Sequence, residues 1–113
     1  MTRYLISFDD GAMTIPEEEL PDVAEAAHAV IRQAKDAGVF VFSGGLKNPE
    51  EMSVVATDGT VTDGPYPQSK AFVGGFTVVE VPSREEALEW AAKIAVACRC
   101  AQEVREFGYD PDV

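Results

Sequence analysis

The chain has 113 residues, and its 9 Lys+Arg against 20 Asp+Glu give a formal net charge of −11. One domain is expected, because half this length could not build its own core. Hydrophobic residues at 46% and charged residues at 26% exclude a disordered chain, and the acidic balance excludes a nucleic-acid surface, which needs clustered cations.

The opening segment MTRYLISFDD lacks the apolar core of a signal peptide. No apolar run approaches the roughly 20 residues that cross a bilayer. A cytoplasmic protein with no membrane partner is the expectation. Tyr4, Ile6 and Phe8 alternate with Arg3, Leu5 and Ser7, the period of a first strand, which Asp9-Asp10-Gly11 breaks. Leu20, Val23, Ala24, Ala27, Val30, Ile31 and Ala34 then recur at helical spacing. Pro16 and Pro21 each suit a first turn, so the helix begins at either, or as a short turn leading into the main helix. Gly38 is its expected stop.

Val39 to Phe42 reads as a second strand, closed by Gly44-Gly45. Met52 to Thr57 and Thr60 to Thr62 flank Asp58-Gly59, the pair that a type I′ hairpin turn uses. Asp63-Gly64-Pro65 marks a further turn, and Pro67 keeps the next residues out of any central strand. Phe76 to Val81 is a strong strand, and Gly74-Gly75 before it suggests a bulge or the close approach of another backbone. Ser83 and Glu86 form a capping box for a second helix, with Ala87, Leu88, Ala91, Ile94 and Ala95 as its buried stripe. Ala101 to Phe107 reads as a last strand. Cys98 and Cys100, with no His at zinc-ligand spacing, read as small buried hydrophobes at the helix-to-strand junction.

The order β-α-β, hairpin, β-α-β predicts an α+β fold of the ferredoxin-like type, an antiparallel sheet backed by two helices. Tyr4-Leu5-Ile6, Val39 to Phe42 and Val78-Val79 are apolar on both faces of that sheet. Two helices cover only one face. The other wants a partner, and a second copy of the chain is the simplest one, so a homodimer through the open sheet face is expected.

Polar chemistry gathers in one segment. Asp63, Tyr66, Gln68, Ser69 and Lys70 bring a carboxylate, a phenol, an amide, a hydroxyl and an ammonium within eight residues, beside Gly74-Gly75. Asp63, Tyr66, Ser69 and Lys70 are the candidate ligand-binding residues, with Lys70 suited to an anionic group of a small molecule. Turn chemistry alone accounts for Asp63, Gly64 and Pro65. Asp9-Asp10 with Asp63 could hold a hard cation, but adjacent acids more often make a turn. Gly74-Gly75 lacks the spacing of a nucleotide loop. No metal or cofactor is expected.

The run VTDGPYPQSKAFVGGFTVVEV, with GGL at residues 44–46 and ALEWAAKI at residues 87–94, resembles the DGPF-type branch of the YCII-related proteins. The resemblance implies a ferredoxin-like dimeric α/β barrel. In that branch the turn usually continues with Phe, then Ala-Glu, then Lys-Glu. Here Tyr66 replaces the Phe, Gln68 stands at the first Glu and Ala71 at the second, while Lys70 is retained. Some YCII-related enzymes carry a His on the first helix and an Asp near the end of the second, proposed as a catalytic pair, and one branch removes chloride from an aromatic ring. His28, the only His, lies on the first helix and is thereby the candidate catalytic base; Ile94 stands where the Asp is expected.

Besides a purely structural dimerisation module, two readings follow. The first is a small homodimeric small-molecule-binding or accessory protein with no assigned reaction; an accessory role is implied by the resemblance, since DGPF-type proteins are often encoded beside extracytoplasmic-function sigma factors. The alternative is a lyase or dehydrochlorinase acting through His28 on a small anionic or aromatic substrate.

Overall fold

Tyr4, Ile6 and Phe8 leave β1 (Thr2–Asp9) on the side that faces the helices, and β1 is a central strand of the sheet. The computed structural model describes residues 1–65 and 71–113. β1 pairs antiparallel with β5 (Val73–Val81) on one side and β6 (Glu103–Glu106) on the other. β2 (Phe40–Gly45) completes the sheet by pairing antiparallel with β5, giving the order β2-β5-β1-β6. That order and the two crossover helices, α1 (Leu20–Asp36) and α2 (Arg84–Cys98), are the ferredoxin-like arrangement. The sheet is open, with β2 and β6 at its edges, and this chain closes no barrel.

The core lies between this sheet and the helix pair. Tyr4, Ile6, Val79 and Val81 meet Val30 and Ala34 of α1 and Ala87, Ala91, Ile94, Ala97 and Cys98 of α2. On α2 the buried stripe sits further round and further along than its sequence suggests. Leu88 is exposed and Ala95 only half-buried, whereas Ala97 and Cys98 are buried. Small alanines let α2 approach α1 and the sheet closely, and the larger Leu88 falls on the outer side. The Tyr4 hydroxyl donates to Glu106 Oε1 at 3.1 Å; burial and that neighbouring carboxylate both push the phenol pKa up.

Local chemistry sets the ends of the elements. A short 3-10 turn over Glu17–Glu19 precedes α1. The helix stops in a Schellman arrangement: Gly38 takes φ +75°, its N–H donates to Lys35, and the Val39 N–H donates to Ala34. Ser83 caps α2 by accepting from the Glu86 N–H at 3.3 Å. Gly44 and Gly45 do not close β2 but belong to it, opposite Phe76 and Gly75. β5 likewise starts earlier than expected, at Val73, and Gly74 is the bulge in its pairing with β1. Here glycine is required: a Cβ on Gly74 would lie 2.9 Å from the Asp10 Cα.

The hairpin is present as β3 (Ser53–Val55) and β4 (Val61–Asp63), but its turn differs from type I′. A type I′ turn needs positive φ at both central residues. Gly59 has φ +88°, while Asp58 does not take positive φ. The Gly59 N–H donates to Ala56 and the Ala56 N–H to Thr60, so the loop is three residues long and ends on a left-handed glycine. β3 and β4 pack chiefly on each other, leaving Val55 and Val61 exposed. The radius of gyration is 15.8 Å, against about 13 Å for a compact chain of this length.

Candidate active site

A cavity of about 350 Å³ opens between the helices and the end of the sheet where β1, β5 and β2 run side by side. α1 contributes Ala27, His28 and Ile31; α2 contributes Ile94 and Cys98; Gln102 stands just before β6. The sheet supplies Phe8, Ser43, Gly44, Gly45, Phe76 and Thr77. Register explains the floor. Thr77 and Gly75 face the helices, because they alternate with Phe76 and Val78, and their partners across the strands are Ser43 and Gly45. Two hydroxyls and two glycines therefore occupy adjoining inward positions. Phe8 pairs with Gly75, so its ring borders the same floor.

His28 sits beside this cavity on the exposed side of α1, one position from the half-buried Ala27. Among the described residues no hydrogen bond reaches its ring and no carboxylate lines the cavity. Ile94 lines the cavity with His28, at the place where the resemblance implies a carboxylate. The imidazole thus has access to a bound molecule, but no acid holds it in one tautomer. The Cys98 thiol pKa is raised, first by burial and then by Cys100, which keeps the sulfur protonated and weakly nucleophilic at neutral pH. It lines the cavity as an apolar surface.

The other candidate ligand residues fare differently. Asp63 ends β4 on the hairpin, exposed, and does not line the cavity with His28. Tyr66, Ser69 and Lys70 lie outside the described residues. A wider cleft of about 710 Å³ runs along Leu46–Met52 and Ala71–Val73; its charged groups, Lys47 and Glu51, are exposed. Among the described residues no cluster of His, Cys, Asp and Glu is placed to hold a metal, and no helix is long and apolar enough to cross a membrane. Sequence reasoning missed Ser43, Thr77, Gln102 and Phe8 as cavity residues. The available signal was Thr77 itself, a hydroxyl at an inward position of an otherwise apolar strand.

Fold and site together define a ferredoxin-like α+β protein with a ligand-sized cavity between its helices and its sheet. Residues 2–107 match the YCII-related domain, and the chain belongs to that family. No curated protein matches it. A solved structure with a similar fold is 5-chloro-2-hydroxyhydroquinone dehydrochlorinase (TftG) from Burkholderia phenoliruptrix AC1100, in complex with 2,5-dihydroxybenzoquinone. The two share 15% identity at a TM-score of 0.56, over 99% of this chain and 98% of the other.

Proposed function

We propose that this chain is a small-molecule-binding protein of the YCII-related family whose ligand occupies the cavity beside His28. The observation that carries this reading is the cavity itself: about 350 Å³, formed at the end of a rigid sheet, apolar over Phe8, Ile31, Ile94 and Cys98, with a few polar groups converging on it. Its size suits a single substituted ring. A titration of ¹⁵N-labelled protein with hydroquinone tests this. Amide shifts are expected at Gly45, Gly75, Thr77 and Ile94; shifts confined to the hairpin or absent altogether would refute it.

The protein works as a homodimer through the outer face of the sheet, in the manner of the dimeric barrel that the DGPF-like segment implies. Leu5, Phe76 and Val78 are half-buried there, and Phe42 is 59% exposed with its ring centroid 5.7 Å from that of Phe76. An aromatic and aliphatic patch on a sheet face is the kind of surface that a second copy covers.

A lyase activity is the second reading, favoured by the position of His28 and by the fold shared with a dehydrochlorinase. In it, a chlorinated hydroquinone reacts as its keto tautomer, in which the chlorine-bearing carbon is tetrahedral and carries a hydrogen: His28 takes the proton of the remaining hydroxyl, the electron pair moves through the ring double bond, and chloride leaves with its bonding pair, so that the products are a quinone and HCl. Chloride release from chlorohydroquinone, present in the wild type and lost in His28→Ala, would establish the reaction.

A further inference from the structure

Gln102 enters the cavity wall by strand register. Glu103 pairs with Ser7 and Val104 with Ile6; Val104 packs on the core, and Glu106 accepts from Tyr4 on the same side of the sheet. Alternation then turns Gln102 toward the helices, where it lines the cavity half-buried. Its amide is held on one side only. Nε2 donates to the Cys100 carbonyl at 3.3 Å and lies 3.5 Å from the Cys100 Sγ, so a partner stands at each of its two hydrogens. The reverse orientation would set two carbonyl oxygens against each other.

The anchor of that amide is itself fixed. Arg99 takes φ +58° at the end of α2, and the Cys100 N–H donates to the Ala95 carbonyl, closing the helix in a left-handed cap. Arg99 Nη1 donates to Glu19 Oε1 at 2.6 Å, which ties this cap to the turn ahead of α1. The Cys100 carbonyl therefore has a set direction, and the Gln102 amino group follows it. The Gln102 Oε1 is left over. Among the described residues it accepts no hydrogen bond, yet no buried side-chain oxygen there lacks a partner, so this atom is open rather than buried. The space beside the residue is the cavity.

Polarity separates Gln102 from the other lining groups. The hydroxyls of Ser43 and Thr77 rotate to donate or accept, and the His28 imidazole changes tautomer. With its amino group held at Cys100, Gln102 offers an acceptor and nothing else. Resting on the ligand-binding reading above, we propose that Gln102 is a specificity-determining residue whose Oε1 accepts a hydrogen bond from an O–H or N–H of the bound molecule. The ligand thus carries a neutral donor on the edge that faces β6. A ring with only acceptors there, or no polar group, binds more weakly.

The test uses indole and benzofuran, flat rings of the same size that differ in one atom: an N–H donor in the first, a ring oxygen in the second. Both are titrated by NMR into the full ¹⁵N-labelled chain and into Gln102→Met, which keeps the length and removes the amide. Indole is expected to bind the wild type about five-fold more tightly than benzofuran, and Gln102→Met should erase that preference while benzofuran affinity holds. Unchanged benzofuran binding also shows that the variant is folded with its cavity intact. In the wild type the Gln102 side-chain amide resonance should move with indole and stay nearly still with benzofuran, a readout that needs no variant. Equal affinity of the two rings for the wild type, or a preference for indole that survives in Gln102→Met, overturns the proposal while leaving ring binding intact. If neither ring binds, the proposal fails, and hydroquinone then decides the ligand-binding reading on its own.

Discussion

Phe8 and Gly75 face each other across β1 and β5 so closely that a Cβ on Gly75 would lie 2.6 Å from the Phe8 Cζ. The phenyl ring lies over the space that any other residue's side chain would take, an aromatic covering a glycine in the neighbouring strand. A Gly75 Cβ would also come 3.3 Å from the Gly44 carbonyl oxygen, so the glycine is hemmed in from β2 as well. Gly75→Ala must therefore turn Phe8 toward the cavity or spread the strands. Overpacking of this kind costs about 1–3 kcal/mol. A lower melting temperature together with displaced Phe8 ring resonances is the expected result; unchanged stability and ring shifts would show that β1 and β5 separate freely.

The outer sheet face supplies a second prediction. Phe42, not Phe40, points away from the helices: Phe40 packs against the core while Phe42 stacks with Phe76 outside. Phe42→Asp places a charge in the centre of the apolar patch, where a partner chain would have to desolvate it. Sedimentation at micromolar concentration should show a dimer for the wild type and a monomer for this variant. A wild-type monomer removes the dimer from the account.

Much of this architecture can be read from the residues. A period-two pattern marks β1, the run from Phe76 to Val81 marks most of β5, the stripe from Leu20 to Ala34 marks α1, and Gly38 and Ser83 mark helix ends through chemistry that acts within a few residues. What resists such reading is set across the fold. Whether Gly44-Gly45 ends a strand or continues it depends on β5 being there to pair with them. Leu88 lies on the outer side of α2 because of where α1 and the sheet sit, which no single-helix pattern contains. The cavity is of the same kind, since Phe8, His28, Ser43, Thr77 and Gln102 come from five separate stretches and only topology assembles them. His28 was legible as a candidate; its neighbours were not.

The hairpin turn carries a pH dependence. Its Asp58 carboxylate accepts from the Thr60 N–H at 2.9 Å, and that hydrogen bond lowers the Asp58 pKa. A depressed folded-state pKa means that the ionised form supports the turn. The contribution is complete above the ordinary aspartate range and disappears as pH falls through the lowered folded value. The Thr60 amide resonance should titrate with a midpoint below that of an unstructured aspartate peptide. Asp58→Ala should abolish the titration, and a midpoint at or above the peptide value would contradict the bond.

His28 divides folding from binding. Its side chain is exposed and, among the described residues, makes no hydrogen bond, while the core contacts of α1 come from Val23, Val30 and Ala34. Removing the imidazole leaves no cavity in the core and no orphaned partner, so His28→Ala should change stability by no more than about 0.5 kcal/mol. The same substitution removes the imidazole from the cavity wall, and with it any proton exchange between that ring and a bound molecule. Hydroquinone affinity should fall several-fold, and chloride release from chlorohydroquinone, where the wild type shows it, should vanish. Chemical denaturation and the two ligand assays on one preparation separate the outcomes. A large loss of stability would make His28 a structural residue. Unchanged stability with unchanged binding would make it a bystander, and the cavity would then have to work through Ser43, Thr77 and Gln102 alone.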